Sequence, residues 1–330
     1  MRKRLEELLL RQKKIFQNSL ILTPTDNILD SVKVDEFTRW THSLYASDKV
    51  RSDEEKLESI IQFSGRDQLT KGINQIHQEL AKRLRCNFAS LRLLSGLNSH
   101  IVTMLAIASP GDSVVILPEK GGGHYATPSI LRRIGLKPIE LALDIGNQCV
   151  DIDLSIEVIQ SSNAKILFVD RSEGLYYEDF RALGKLPLPY KIFDSSQYLT
   201  QILTGKFTNP FEWGFNIQLF SVHKNFPGPQ KAGVATTEEN IFAQIKSATS
   251  DLISSSHIEN TFIFGHVLSR FDELTDYSET MLSTTESLNS RFKSSLPSSM
   301  MPFISHEWPR NHHIWVRIGS QEHAFDVWKN

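Results

Sequence analysis

From residue 88 onward, short apolar runs alternate with amphipathic stretches. Runs at 89–94, 113–117, 138–143, 166–170, 191–194, 217–222 and 232–236 are bounded by turn-forming residues and predict strands. Helical patterns at 99–108, 128–134, 154–160, 180–184 and 198–203 separate most of them. This alternation predicts an α/β domain with a mostly parallel central sheet and helices on both faces. In such sheets ligands sit outside the carboxyl ends of the strands. Upstream, 73–84 reads as an amphipathic helix with Ile73, Ile76, Leu80 and Leu84 on one face. Residues 1–18 form a helix whose Leu5, Leu8, Leu9 and Ile15 could dock elsewhere; 19–27 is extended, 35–45 helical, and 48–56 a charged surface insertion. Downstream, 238–251 and 265–289 read as helices, the Ser-rich 290–299 as a linker, 312–318 as a strand and 321–329 as a helix.

Three regions follow. Residues 1–50 dock on the large domain or on a dimer partner; 51–290 form the large α/β domain; 291–330 begin a small C-terminal domain. One strand and part of one helix cannot bury a core, so that last domain reads as incomplete, its remainder missing or supplied by a second chain.

Composition narrows the partners. The 330 residues carry 36 Lys+Arg against 38 Asp+Glu, a formal charge of -2, which predicts no nucleic-acid partner. No apolar run is long enough for a membrane span, and the charged N-terminus is not a signal peptide. Two cysteines make neither a disulfide framework nor a metal pattern, so a reducing, cytoplasmic setting is expected and no metal.

Five polar clusters fall at successive strand ends. Ser95-Gly96-Leu97-Asn98-Ser99 opens a helix, where free N–H groups favour an anion such as phosphate. Gly121-Gly122-Gly123-His124 strips a loop of side chains and leaves one imidazole, able to stack on a flat ring. Asp170-Arg171-Ser172 closes the fourth strand. Asp194-Ser195-Ser196-Gln197 ends a buried strand in a carboxylate that needs a partner, and a pyridinium nitrogen would suit it. Ser221-Val222-His223-Lys224 places an amine at the mouth of another strand before a Pro-Gly-Pro stop, where it could form a Schiff base. Singly, each is compatible with ordinary structure: an N-cap, a flexible loop, a turn, a helix cap, a solvated lysine.

In this order and spacing the clusters resemble the fold-type-I pyridoxal 5'-phosphate (PLP) enzymes, the PLP-dependent transferase fold, and within them the serine hydroxymethyltransferase branch. Ser95-Gly96 resembles the family's Ser-Gly-Ser phosphate loop, and Ser109-Pro110-Gly111-Asp112 its Pro-Gly-Asp turn. Gly122-Gly123-His124 resembles its Gly-Gly-His, whose histidine stacks on the ring. Ser172 falls at the serine near the PLP phenolic oxygen, and Asp194 at the aspartate of the pyridine nitrogen. His223-Lys224 matches the pair carrying the internal aldimine, with Ser221 in its hydroxyl run. Tyr45-Ala46 resembles the start of Tyr-Ala-Glu-Gly, and Thr25-Asp26-Asn27 resembles Ser-Glu-Asn. The resemblance spans roughly 20–275, most strongly 88–233. Departures are Leu97 for the third phosphate-loop serine, Gln197 for a histidine, Ser47 for a glutamate tied to folate and proton transfer, and Gln230 for an arginine.

The resemblance implies a catalytic set of Lys224, His124 and Asp194, and a PLP site of Ser95, Gly96, Leu97, His124, Ser172, Asp194, Gln197, Ser221, His223, Lys224 and Tyr45. It implies aldol or retro-aldol chemistry at Cα and Cβ of an amino-acid substrate, hydroxymethyltransferase- or transaldolase-like and folate-independent. It also implies a homodimer in which Tyr45 and 257–261 reach the neighbouring site. The same cofactor and lysine would equally serve a decarboxylase, racemase, aminotransferase or β/γ-substitution enzyme, or one subunit of a split PLP enzyme.

Overall fold

The computed structural model describes residues 66–144, 149–172, 179–253 and 256–295, with 312–314, 320, 322, 324 and 326. In chain order the elements are α1 (Arg66–Leu84), β1 (Phe88–Leu93), α2 (Gly96–Ile107), β2 (Ser113–Ile116), α3 (Thr127–Arg133), β3 (Lys137–Glu140), a ribbon of β4 (Leu143–Asp144) and β5 (Cys149–Val150), and α4 (Ile152–Ser161). Then come β6 (Ile166–Val169), α5 (Arg181–Gly184), β7 (Tyr190–Asp194), α6 (Leu199–Leu203), α7 (Pro210–Trp213), β8 (Ile217–Ser221), β9 (Ala232–Thr236), α8 (Glu239–Leu252), α9 (Ile258–Ser269) and α10 (Phe271–Ser295).

The seven-stranded sheet has the order β3-β2-β6-β7-β8-β9-β1. β3, β2, β6, β7 and β8 run parallel, while β9 is antiparallel to both β8 and β1. The link from β8 to β9 holds no helix, so the chain turns back and pairs antiparallel. β1 therefore points with the parallel strands, and the carboxyl ends of β1, β2, β6, β7 and β8 share one edge.

Alternate strand residues enter two separate cores. Val115, Leu167, Val169, Phe193 and Phe220 pack on one face with Leu80, Leu183, Leu199, Phe264 and Leu274. Val114, Ile116, Ile166, Phe168, Ile192 and Leu219 pack on the other with Val102, Leu131, Ile241 and Ile245. Both faces are covered, so these strands read as continuous apolar runs rather than alternating ones. Each such fully buried side chain contributes ~1.5–3 kcal/mol.

Four details differ from the sequence reading. α1 starts before residue 73, because Leu69 already joins Ile73, Ile258 and Phe262 in a small apolar cluster. The expected helix over 265–289 is two helices, broken at Arg270, which leaves helical geometry at φ -92°, ψ 54° while its N–H closes on Val267 O. The expected linker is helical as far as Ser295, and the hydroxyls of Ser290, Ser294 and Ser295 donate to carbonyls one turn back within that helix. His312, His313 and Ile314 are not in a strand; the two histidine rings pack edge-on to Tyr198 instead. The segments 1–18, 19–27, 35–45 and 48–56 lie outside the described residues. Among the described residues no helix is long and apolar enough to cross a membrane.

Candidate active site

The shared carboxyl edge gathers four of the five clusters around the fifth. After β1 the chain turns at Ser95, which caps α2: its Oγ accepts from Asn98 N at 3.3 Å, and Asn98 Oδ1 accepts from Leu94 N at 3.0 Å. A Cβ on Gly96 would lie 3.9 Å from both Ser196 Oγ and Ser221 Cβ, so the start of α2 faces these two serines. Ser196 Oγ accepts from Ser221 N at 2.8 Å. Ser221 Oγ is buried and has no hydrogen-bond partner among the described residues. A helix start with open N–H groups beside an unsatisfied hydroxyl is a cradle for an anion. Leu97 turns outward, 37% exposed, and adds nothing polar to it.

The glycine loop after β2 is held tightly. Gly122 sits at φ 92°, in the left-handed region. A Cβ on Gly123 would come within 2.1 Å of Leu117 O, so only glycine fits there. The loop is stapled to the end of β6 by a bridge between Gly123 and Arg171 and by Ser172 N donating to Gly122 O at 3.0 Å. This fixes the loop that carries His124 against the segment that carries Ser172. His124 Nδ1 accepts from Ala126 N at 3.2 Å, so the neutral ring carries its proton on Nε2. Burial, then the positive charges of His100 and Lys224, lower the His124 pKa, with Asp194 acting the other way. Tyr125 stacks on the ring at 4.8 Å and is itself 71% exposed.

Asp194 closes β7 in the middle of the edge. Its Oδ1 accepts from Ser196 N at 2.7 Å, and its Oδ2 lies 2.5 Å from His100 Nε2. Burial pushes this carboxyl up, but the His100 hydrogen bond and charge, followed by Lys224 and Ser196, hold it at about 2. Lys224 is half-buried after β8 and acts through space on both Asp194 and His124. Its neighbour Asn225 anchors the segment: Asn225 Oδ1 accepts from Thr200 N at 2.8 Å, and Asn225 O accepts from Thr200 Oγ1 at 3.0 Å. The edge thus offers an anion cradle, an ionised buried carboxylate, a neutral imidazole and an amine.

Gln197 is half-buried in the turn after Asp194, and His223 is half-buried beside Lys224. Tyr45 lies outside the described residues. Sequence reasoning misses His100 and Asn225 and gives Asp170, in the third cluster, no role. His100 carries no signal of its own, being one of several polar residues, with Asn98, Ser99 and Thr103, in a helix with no acidic or basic pattern. Asp170 was noted only as the end of a strand, yet it is buried, accepts from Thr127 Oγ1, and is pushed up to about 7 by burial, with His100 opposing.

Comparison with known proteins agrees with this geometry. No family model matches the chain. An L-threonine:uridine-5'-aldehyde transaldolase from Streptomyces sp. is 32% identical over 187 residues, 55% of this chain and 44% of the relative. A fluorothreonine transaldolase from Streptantibioticus cattleyicolor is 29% identical over 57% of this chain and 30% of its own length. A serine hydroxymethyltransferase from Pyrobaculum calidifontis is 27% identical over 73% and 61%. A crystal structure of L-threonine transaldolase from Pseudomonas fluorescens, in its internal aldimine state, superposes with a TM-score of 0.83 over 98% of this chain and 74% of that one, at 20% identity. The chain has the type I fold of the PLP-dependent enzymes. Its relatives are threonine transaldolases and serine hydroxymethyltransferases, the branch that the five clusters resemble. The chain spans under half the length of the first two of these relatives and 61% of the third.

Proposed function

We propose that the chain binds PLP and acts at the Cα–Cβ bond of an amino acid, in the manner of the threonine transaldolases among its relatives and without folate. The observation that carries this reading is the ionised, buried Asp194 on the same sheet edge as Lys224 and the serine cradle. The residues fit the cofactor. A phosphate suits the start of α2, where Ser221 Oγ has no partner among the described residues, and a protonated ring nitrogen suits Asp194, whose side chain keeps 10% exposure. Ser95, Gly96, Ser196 and Ser221 would hold the phosphate, Ser172 and His124 would position the ring, and Lys224 would carry the covalent link.

Bound PLP supplies an aldehyde for the substrate amine and a ring that absorbs the charge left at Cα when its bond to Cβ breaks. The protein supplies the rest. Asp194 keeps the ring nitrogen protonated because its own carboxyl stays ionised. His124, neutral with its proton on Nε2, presents a flat donor that does not compete with Lys224 for negative charge. The clamp of Thr200 on Asn225 keeps the Lys224 backbone in place. We also infer a cytoplasmic homodimer: Leu97 and Leu105, both exposed along α2, are apolar surface that a second copy would cover.

The test is a visible absorption spectrum of the purified chain with PLP, beside Lys224→Ala, followed by mass spectrometry of products from threonine with an acceptor aldehyde. A yellow band that borohydride fixes in the parent and not in Lys224→Ala, with acetaldehyde released from threonine, supports the reading. Carbon dioxide release instead would move the reaction to decarboxylation, and a chain that never takes up PLP would refute the proposal. Light scattering would refute the dimer by returning a monomer with full cofactor occupancy.

A further inference from the structure

We propose that His100 and Asp170 back Asp194 as one buried proton-sharing unit, which keeps Asp194 ionised and oriented toward the cofactor ring. The inference rests on the PLP reading for its consequence but not for its geometry.

His100 lies on α2, and its Nε2 is 2.5 Å from Asp194 Oδ2, with side chains 5% and 10% exposed. An ionised carboxylate only accepts, so Nε2 must carry the proton. The other ring nitrogen, Nδ1, is buried and has no hydrogen-bond partner among the described residues. Among the other buried polar atoms in the same condition is Asp170 Oδ1, whose sister oxygen accepts from Thr127 Oγ1 and whose carboxyl His100 acts on through space. The His100 ring packs edge-on against Phe168 at 4.8 Å. Residues two apart on a strand face the same way, so Asp170, directly after β6, faces the side on which His100 sits.

The two unsatisfied atoms are complementary. The pair shares one proton: a protonated Asp170 donates from Oδ1 to Nδ1 of a neutral Nε2–H imidazole, or, with the proton on Nδ1, the imidazolium donates to an ionised Oδ1 and carries the positive charge that acts on Asp194, in either case directly or through one water. Burial favours the protonated form of Asp170, and His100 acts on both carboxylates. Each orphan thereby gains a partner, and an otherwise costly pair of buried acceptors is resolved. The charged and titratable groups facing the unit are Asp194 from β7, His124 from the glycine loop and Lys224 from beyond β8. His124 approaches His100 only edge-on, at 6.4 Å between ring centres. His100 and Asp170 are positioning residues: they act through Asp194 and touch no reacting atom.

The test uses the full chain. In the protein without cofactor, ¹⁵N NMR of the His100 ring should show a protonated Nε2 and a hydrogen-bonded Nδ1, and Asp170→Leu should move the Nδ1 signal. With PLP bound, Asp170→Leu and His100→Gln should shift the pH midpoint of the visible band by about one unit and lower kcat about tenfold with little change in KM. Asp170→Asn keeps a donor at the same place and should restore the parent midpoint. A purely structural role would change unfolding and leave that midpoint alone, which would overturn the proposal. So would a His100 Nδ1 whose ¹⁵N signal shows no hydrogen bond in the cofactor-free chain. If no visible band forms in the parent, the PLP reading fails, and the NMR result alone decides whether the unit exists.

Discussion

Asp170→Asn isolates the energetic cost of the buried acid behind Asp194. The Asp170 carboxyl is raised by burial from 3.8 to about 7. Below about pH 4 the folded and unfolded chains both hold the proton, and the residue adds no pH dependence. Between about 4 and 7 the unfolded chain releases it while the folded chain retains it, so stability falls as pH rises. Above about 7 both are ionised and the loss is complete. A shift of about three units at ~1.4 kcal/mol each makes the loss ~4 kcal/mol, a large fraction of a domain's net stability. Asparagine has no proton to release, and its carbonyl still accepts from Thr127 Oγ1, so the variant should lack this arm. Urea unfolding at several pH values between about 5 and 9 measures it, because titrating groups that do not interact with Asp170 cancel in the difference between parent and variant. The parent should lose ground to Asp170→Asn steadily up to about pH 7 and then run parallel to it. A difference that stays flat within ~0.5 kcal/mol over that range would refute the reasoning.

Two further substitutions probe the scaffold. Gly123→Ala forces a Cβ to within 2.1 Å of Leu117 O, a backbone atom with little room to yield. It should displace the His124 loop, cost ~1–3 kcal/mol and weaken PLP binding about tenfold, read by urea unfolding and absorbance titration; parent-like values for both would contradict it. Asn225→Ala leaves Thr200 N–H buried without its acceptor and should cost ~1–3 kcal/mol by the same unfolding assay, with unchanged stability as the contrary result.

Much of the site was legible because strand ends are. A buried parallel strand reads as an apolar run, and the first polar residue after it must stand at the carboxyl edge. Asp194, Ser95 and Lys224 were found in this way, and the order of the clusters then pointed to one cofactor. The same reading could not see where neighbouring helices end when polarity does not mark the break, as at Arg270. Nor could it see that the helix runs on through Ser290 to Ser295, where a serine-rich composition alone reads as a linker.

What the sequence by itself determined is local: the alternation of strand and helix, the glycine turns, and which polar groups stand at strand ends. Those follow from side-chain periodicity and backbone sterics over a few residues. What only the tertiary structure decided is who meets whom. The sheet order brings the ends of β1, β2, β6, β7 and β8 to one edge, and the turn after Lys224 sends β9 back antiparallel. The pairing of His100 with Asp194 joins residues 94 positions apart. Nothing within either segment specifies that bond. It exists because the apolar faces of α2 and the sheet can be buried only against each other, and that burial carries one imidazole to the carboxylate.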